Sequence, residues 1–166
     1  MYRIEMKQPI WQTIAISTLA FWLSGSLLLD MVVMPGLYAA GMMDSPEFAS
    51  AGYLLFGIFN RIELVCAGLV ASCLLAACYS RHSLRGWSRT AVAFSLLLLS
   101  VVCVYTYLLV PQMSALSLPL DIFQTNAVIP AGMNSLHMGY WLLEAIKLAT
   151  GLTLLGVCYR RQTEMA

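Results

Sequence analysis

Four long apolar segments constrain the fold of this 166-residue chain more than any other feature. They cover about residues 10–38, 47–79, 86–110 and 134–159, and each exceeds the ~20 residues that a helix needs to cross a bilayer. Only 10% of the residues are charged and 60% are hydrophobic, whereas soluble domains carry about 25% charged residues. The sequence therefore predicts an all-α integral membrane protein, with residues 1–166 forming a single four-helix transmembrane domain.

The basic residues indicate how these helices cross the membrane. Cytoplasmic loops of membrane proteins carry an excess of Lys and Arg. The loops on the opposite side contain Asp44, Glu47 and Asp121 but no Lys or Arg. The basic residues outside the apolar segments all fall on the side of the two termini: Arg3, Lys7, Arg81, Arg85, Arg89, Arg160 and Arg161. We therefore expect an up-down-up-down bundle in the inner (plasma) membrane, with the N- and C-termini cytoplasmic.

Two prolines bear on the ends of the helices. Pro35 precedes Gly36 near the end of the first apolar segment, where it is expected to kink or thin the helix. Because proline cannot donate a backbone hydrogen bond, we expect Pro111 to end the third helix. Residues 112–133 would then form the longest connection, whose conformation the sequence leaves open.

Five charged residues lie inside the apolar segments: Asp30, Arg61, Glu63, Glu144 and Lys147. Charges inside a bilayer are costly, and they usually face the interior of a bundle and pair with one another. At about 1.5 Å of rise per helical residue, four of them lie near the same depth in the membrane: Arg61, Glu63, Glu144 and Lys147. The predicted pairs are Glu63 with Lys147, and Arg61 with Glu144 or Asp30.

Polar residues of the last helix recur on one face. His137, Tyr140, Glu144 and Lys147 are spaced three, four and three residues apart, which aligns them along a helix. Asn60 and Glu63 share a face of the second helix in the same way. We therefore expect a polar ligand pocket that opens toward the outer side of the membrane. Its predicted lining is Asp30, Asn60, Arg61, Glu63, His137, Tyr140, Glu144 and Lys147. The alternative is that these residues only lock the helices together, since interhelical polar contacts contribute about 0.6–2 kcal/mol.

His137 and Met138 are the candidate metal ligands. Histidine binds haem iron and copper or relays protons, and thioether sulfur favours Cu(I). A bis-His haem b site is disfavoured because the only other histidine, His82, lies in a loop on the opposite side. Methionine is also common in ordinary apolar cores. Haem b and copper therefore remain possible cofactors that the sequence does not favour.

Several short motifs resemble a known family. The stretches Phe21-Trp22-Leu23-Ser24-Gly25 and Pro35-Gly36-Leu37-Tyr38 resemble the first helix of the transmembrane protein 205-like family. Residues on the second and last helices fit the same pattern: Phe56, Phe59, Asn60, Leu136, His137 and Tyr140. The resemblance implies a small four-helix membrane protein of largely unknown function.

A more distant resemblance bears on the cofactor. The pattern is similar to the copper-resistance protein D group, which includes a haem-binding protoporphyrinogen oxidase. This likeness implies a haem or copper role for His137. The chain departs from that group because it has no second histidine within an apolar segment.

Three functional hypotheses remain. The chain has no phosphate-binding loop, nucleophile elbow or dinucleotide fingerprint, and no basic surface typical of nucleic-acid binding. The first hypothesis is a non-enzymatic membrane protein: an accessory or assembly subunit of a larger membrane complex, or a binder of a polar ligand. The second is a haem or copper redox protein that uses His137. The third is a homo-oligomeric proton- or ion-coupled transporter in which Glu63, Glu144 and Lys147 titrate.

Overall fold

Four long helices make up the bundle in a computed structural model, which describes residues 10–41, 47–80, 87–117 and 132–165. Helix α1 covers 10–39, α2 covers Glu47–Ser80, α3 covers 87–117 and α4 covers Met133–Met165. Each contains a segment long and apolar enough to cross a membrane: Ile10–Ala39, Ala51–Tyr79, Arg89–Leu116 and Asn134–Arg161. The predicted all-α four-helix bundle is confirmed, and the orientation of the termini stays a prediction.

The four helices form a closed ring in chain order. Helices α1 and α3 each pack against both α2 and α4. Few residues separate α1 from α2 or α2 from α3, and short connections join antiparallel neighbours. Every helix thus presents one face to a shared interior.

The half of the interior nearer the chain termini is apolar and closely packed. Small side chains on three helices, Ala15, Ala67 and Ala91, are almost fully buried there and let the helix axes approach. The approach of α1 to α4 depends on Gly151, because a β-carbon added there would lie 2.6 Å from Leu23 Cδ2. The larger buried side chains of this core are Leu19, Trp22, Val70, Leu74, Leu98, Val102 and Leu154.

Helices α1 and α3 each contain one π turn, at Leu29–Val33 and at Tyr105–Leu109. Each turn ends where the residue before a proline donates its N–H to a carbonyl five residues back. These bonds run from Met34 to Leu29 and from Val110 to Tyr105. Pro35 and Pro111 therefore follow a widened turn, which accommodates a residue that lacks an N–H and crowds the preceding turn.

The expected end of the third helix at Pro111 is wrong. The helix continues through Val110–Ser117, because the π turn before Pro111 adjusts the backbone hydrogen bonds around it. Of the predicted connection at 112–133, residues 118–131 lie outside the described part of the chain.

Candidate functional site

Glu63 lies at the middle of α2, about 24 Å from either end of the helix at 1.5 Å per residue. Its side chain is buried, and one oxygen, Oε1, accepts hydrogen bonds from two neighbouring helices. Lys147 Nζ on α4 donates at 2.5 Å, Trp22 Nε1 on α1 at 2.9 Å and Ser26 Oγ on α1 at 3.0 Å. The predicted pairing of Glu63 with Lys147 is confirmed.

Lys147 also meets a second carboxyl group. Its Nζ is 2.8 Å from Glu144 Oε1, one turn away on the same face of α4. The Tyr105 hydroxyl group on α3 donates a hydrogen bond to Glu144 Oε2 at 3.0 Å. The centroid of the Tyr105 ring is 5.5 Å from Lys147 Nζ. The ammonium group therefore lies between carboxyl groups of α2 and α4, against an aromatic face from α3.

Asp30 brings a third carboxyl group from α1. The residue belongs to the first π turn and is 6% exposed. Its carboxyl group is within hydrogen-bonding reach of the Glu144 carboxyl group. Tyr105 belongs to the second π turn, so the π turns of α1 and α3 each place one side chain, Asp30 or Tyr105, beside Glu144. Such π turns occur frequently at functional sites.

We call Asp30, Glu63, Glu144 and Lys147 the carboxyl cluster. It contains three acidic groups and one basic group, all of them buried. The other side chains that bond to it, those of Trp22, Ser26 and Tyr105, are neutral donors. Fully ionised, the cluster would carry two more negative charges than positive ones.

Several buried polar atoms beside the cluster have no hydrogen-bond partner in the described residues. They include both amide atoms of Asn60, which is 1% exposed, and Asp30 Oδ2. Asn60 lies one turn from Glu63 on α2, and Asp30 lies one turn from Ser26 on α1. Because Ser26 bonds to Glu63 and the two helices are antiparallel, Asn60 and Asp30 lie at a similar depth. Buried polar groups are nearly always satisfied by protein, water or an ion.

Tyr140 extends this polar region toward the N-terminal end of α4. Its ring is partly buried and packs against Tyr105, with centroids 4.9 Å apart, and against Phe56 at 5.8 Å. The structure thus gathers six of the eight predicted pocket residues in two adjacent layers: Asp30, Asn60, Glu63, Tyr140, Glu144 and Lys147.

Arg61 does not belong to this group, and its predicted pairing with Glu144 or Asp30 is wrong. Arg61 and Glu63 are separated by two positions, which corresponds to a rotation of about 200° around the helix axis. Arg61 therefore points away from the face of α2 that carries Glu63. Its side chain is exposed, and no ion pair to it occurs among the residues that the structure describes. Glu144 pairs with Lys147 instead.

His137 and Met138 are both exposed, with 68% of Met138 accessible. In the described parts of the chain, no three or more His, Cys, Asp or Glu side chains are grouped so that they could hold a metal ion. The haem or copper hypothesis for His137 stays a prediction.

Three residues of the site were missed from the sequence: Trp22, Ser26 and Tyr105. Trp22, Ser26 and Asp30 recur every four residues, so they share one face of α1. That spacing could have identified the first two. Tyr105 carries no comparable signal, because its position depends on the π turn that contains it.

The geometry of the carboxyl cluster is the main guide to function. Comparison of the chain with models of known protein families, with curated proteins and with solved structures finds no match. The likeness to the transmembrane protein 205-like family accordingly stays a prediction.

Proposed function

We propose that this integral membrane protein is a non-enzymatic binder whose carboxyl cluster takes up a proton or a small monovalent cation inside the membrane. The observation that carries the proposal is the excess of carboxyl groups over ammonium groups in a buried site. Uncompensated charge in a low-dielectric interior is strongly unfavourable. Positive charge must therefore enter the cluster from outside: one proton or monovalent cation halves the excess of two negative charges, and a second removes it.

A proton is the first candidate ligand. An ionised carboxylate can only accept hydrogen bonds. Asp30 and Glu144 lie beside one another, and a proton on one of them would let the two carboxyl groups form a hydrogen bond in place of a repulsion. Lys147 and Tyr105 supply the remaining donors to Glu144.

A small cation such as Na⁺ is the second candidate. Hard cations prefer carboxylate and carbonyl oxygens. Asp30 Oδ2 and the Asn60 amide oxygen are buried, lie at a similar depth and lack partners in the described residues. These two oxygens would take the cation, and Glu63 would keep its bonds to α1 and α4.

Infrared spectroscopy of the full-length protein in lipid tests the proposal. The spectrum at pH 7 in choline chloride should show a C=O band of a protonated carboxyl group. Asp30→Asn should remove that band. Ser100→Ala should leave it, because the Ser100 side chain is exposed and donates its hydrogen bond to the Leu96 carbonyl of its own helix.

Replacement of choline by sodium at equal ionic strength separates the two ligands. A band that weakens with Na⁺ assigns the site to the cation, and a band that does not change assigns it to the proton. The proposal is overturned if the wild-type protein shows neither the band nor a response to sodium.

The depth of the cluster favours one further candidate, an oligomeric proton- or ion-coupled transporter. Glu63 is equally far from both ends of α2, as an ion-binding site in a transport path would be. A proton or sodium flux into liposomes that is lost in Asp30→Asn would support transport rather than binding alone. The basic residues of the loops support placement in the inner membrane with cytoplasmic termini, which we keep as part of the proposal.

A further inference from the structure

Arg61 occupies an unusual position on the outer surface of the bundle. It lies near the middle of α2, and its exposed side chain lines a shallow groove of about 520 Å³. The rest of the lining is apolar and comes from α1 and α2: Phe21, Ile58, Ile62, Val65 and Cys66. Four of these side chains, Phe21, Ile58, Ile62 and Val65, are exposed. A positive charge thus lies in an apolar surface at the depth of the bilayer interior.

The described part of the chain offers this charge no partner. Charged side chains at that depth nearly always pair with another group. The acidic residues within the described membrane-spanning segments are Asp30, Glu63 and Glu144. All three are buried and belong to the carboxyl cluster. Arg61 thus has no compensating group among the described residues, and an acidic residue of another molecule can supply one.

A second copy of the chain fits the groove poorly. A symmetric dimer apposes the same surface of both copies, which would bring two Arg61 side chains together. The described spans also expose no carboxyl group that another copy could offer. Charge complementarity instead favours a different protein with an acidic residue.

We propose that this groove binds a transmembrane helix of a different membrane protein, through an Asp or Glu at mid-membrane depth that pairs with Arg61. The guanidinium group can bind a carboxylate through two parallel hydrogen bonds. The apolar residues around it exclude lipid and strengthen that pair. This proposal does not depend on what the carboxyl cluster binds.

A pair of transmembrane peptides in liposomes tests the pairing. The probes are a Leu-Ala peptide with one central Asp and the same peptide with Asn, each labelled for energy transfer to the full-length protein in phosphatidylcholine vesicles. The Asp peptide should bind at least tenfold more tightly than the Asn peptide. Arg61→Leu should remove that preference, whereas Arg89→Leu, which changes an exposed arginine near the start of α3, should retain it.

Photo-crosslinking in native membranes identifies the occupant. A photoreactive residue at position 62 should crosslink to a transmembrane peptide of another protein at an acidic residue. The same probe at position 97, which has similar exposure on α3, should not. The crosslink should be lost in Arg61→Leu and restored when Arg61→Glu is combined with Arg at the acidic position of the partner.

Three results would overturn the proposal. The first is equal binding of the Asp and Asn peptides. The second is equal binding by the wild-type protein and Arg61→Leu, measured while circular dichroism shows that the variant keeps its helical content. The third is crosslinking from position 62 only to lipid, to a second copy or to another segment of the same chain.

Discussion

Replacement of Lys147 by methionine should destabilise the bundle by about 3–5 kcal/mol, the range found when one partner of a buried ion pair is removed. Lys147 is 1% exposed and contacts Glu63 at 2.5 Å and Glu144 at 2.8 Å. Methionine approximates the aliphatic part of lysine, so the packing changes little. The loss would come mainly from carboxyl groups left without the ammonium group.

A double mutant separates this electrostatic effect from packing. In Glu63→Gln, the amide oxygen can still accept the bonds that Trp22 and Ser26 donate to Glu63. Combined with Lys147→Met, it removes a charge that has lost its partner. We therefore expect the double mutant to be more stable than Lys147→Met alone, with a coupling energy of about 1–3 kcal/mol.

Reversible unfolding in mixed detergent micelles measures these free energies. Arg89→Met is the matched control, because Arg89 is exposed, and it should change the free energy of unfolding by less than about 0.5 kcal/mol. The reasoning is refuted if Lys147→Met is as stable as the wild-type protein, or if the two substitutions in the cluster are additive.

Three further substitutions probe the packing and the polar layer. Gly151→Ala should lower the free energy of unfolding by about 1–3 kcal/mol, because the new β-carbon meets Leu23. Adding Leu23→Ala should recover part of that stability. Full stability of Gly151→Ala would contradict the close approach of α1 and α4. Tyr105→Phe should cost about 0.6–2 kcal/mol by removing the donor to Glu144, and an unchanged free energy of unfolding would show that this bond contributes nothing. Asn60→Leu should stabilise the sodium-free protein by about 1–3 kcal/mol, because it removes two buried amide atoms that have no partner in the described residues. It should also abolish any infrared response to sodium. Destabilisation would mean that the amide has partners within the protein.

The sequence predicted the helices and one ion pair because both follow from distance along the chain. An apolar segment of about 20 residues can satisfy its backbone in a bilayer only as a helix. The depth of a residue then follows from its number, which placed Glu63 and Lys147 at the same level. Opposite charges at one level in an apolar bundle have few other partners, so this pairing was predictable.

Rotation about a helix axis and backbone irregularity were harder to predict. Arg61 has a suitable depth for pairing with Glu144, but its direction on α2 takes it to the outer surface. The π turns at Leu29–Val33 and Tyr105–Leu109 depend on local hydrogen bonding that the apolar pattern does not encode. The contact of Tyr105 with Glu144 and the continuation of α3 beyond Pro111 both follow from that irregularity.

The π turns make the ends of α1 and α3 that are remote from the chain termini tolerant of a small change in chain length. Each turn accommodates one residue more than a regular helix would. Deleting a single residue from Leu29–Val33 would therefore restore regular winding while the segment up to Ala39 kept nearly the same orientation relative to the rest of α1. Such a deletion would alter the residues of the turn, where Asp30 lies, and leave Tyr38 and its neighbours on the same face of the helix. A change of one residue there would thus act on the interior carboxyl group without redistributing which side chains meet lipid at that end of the molecule.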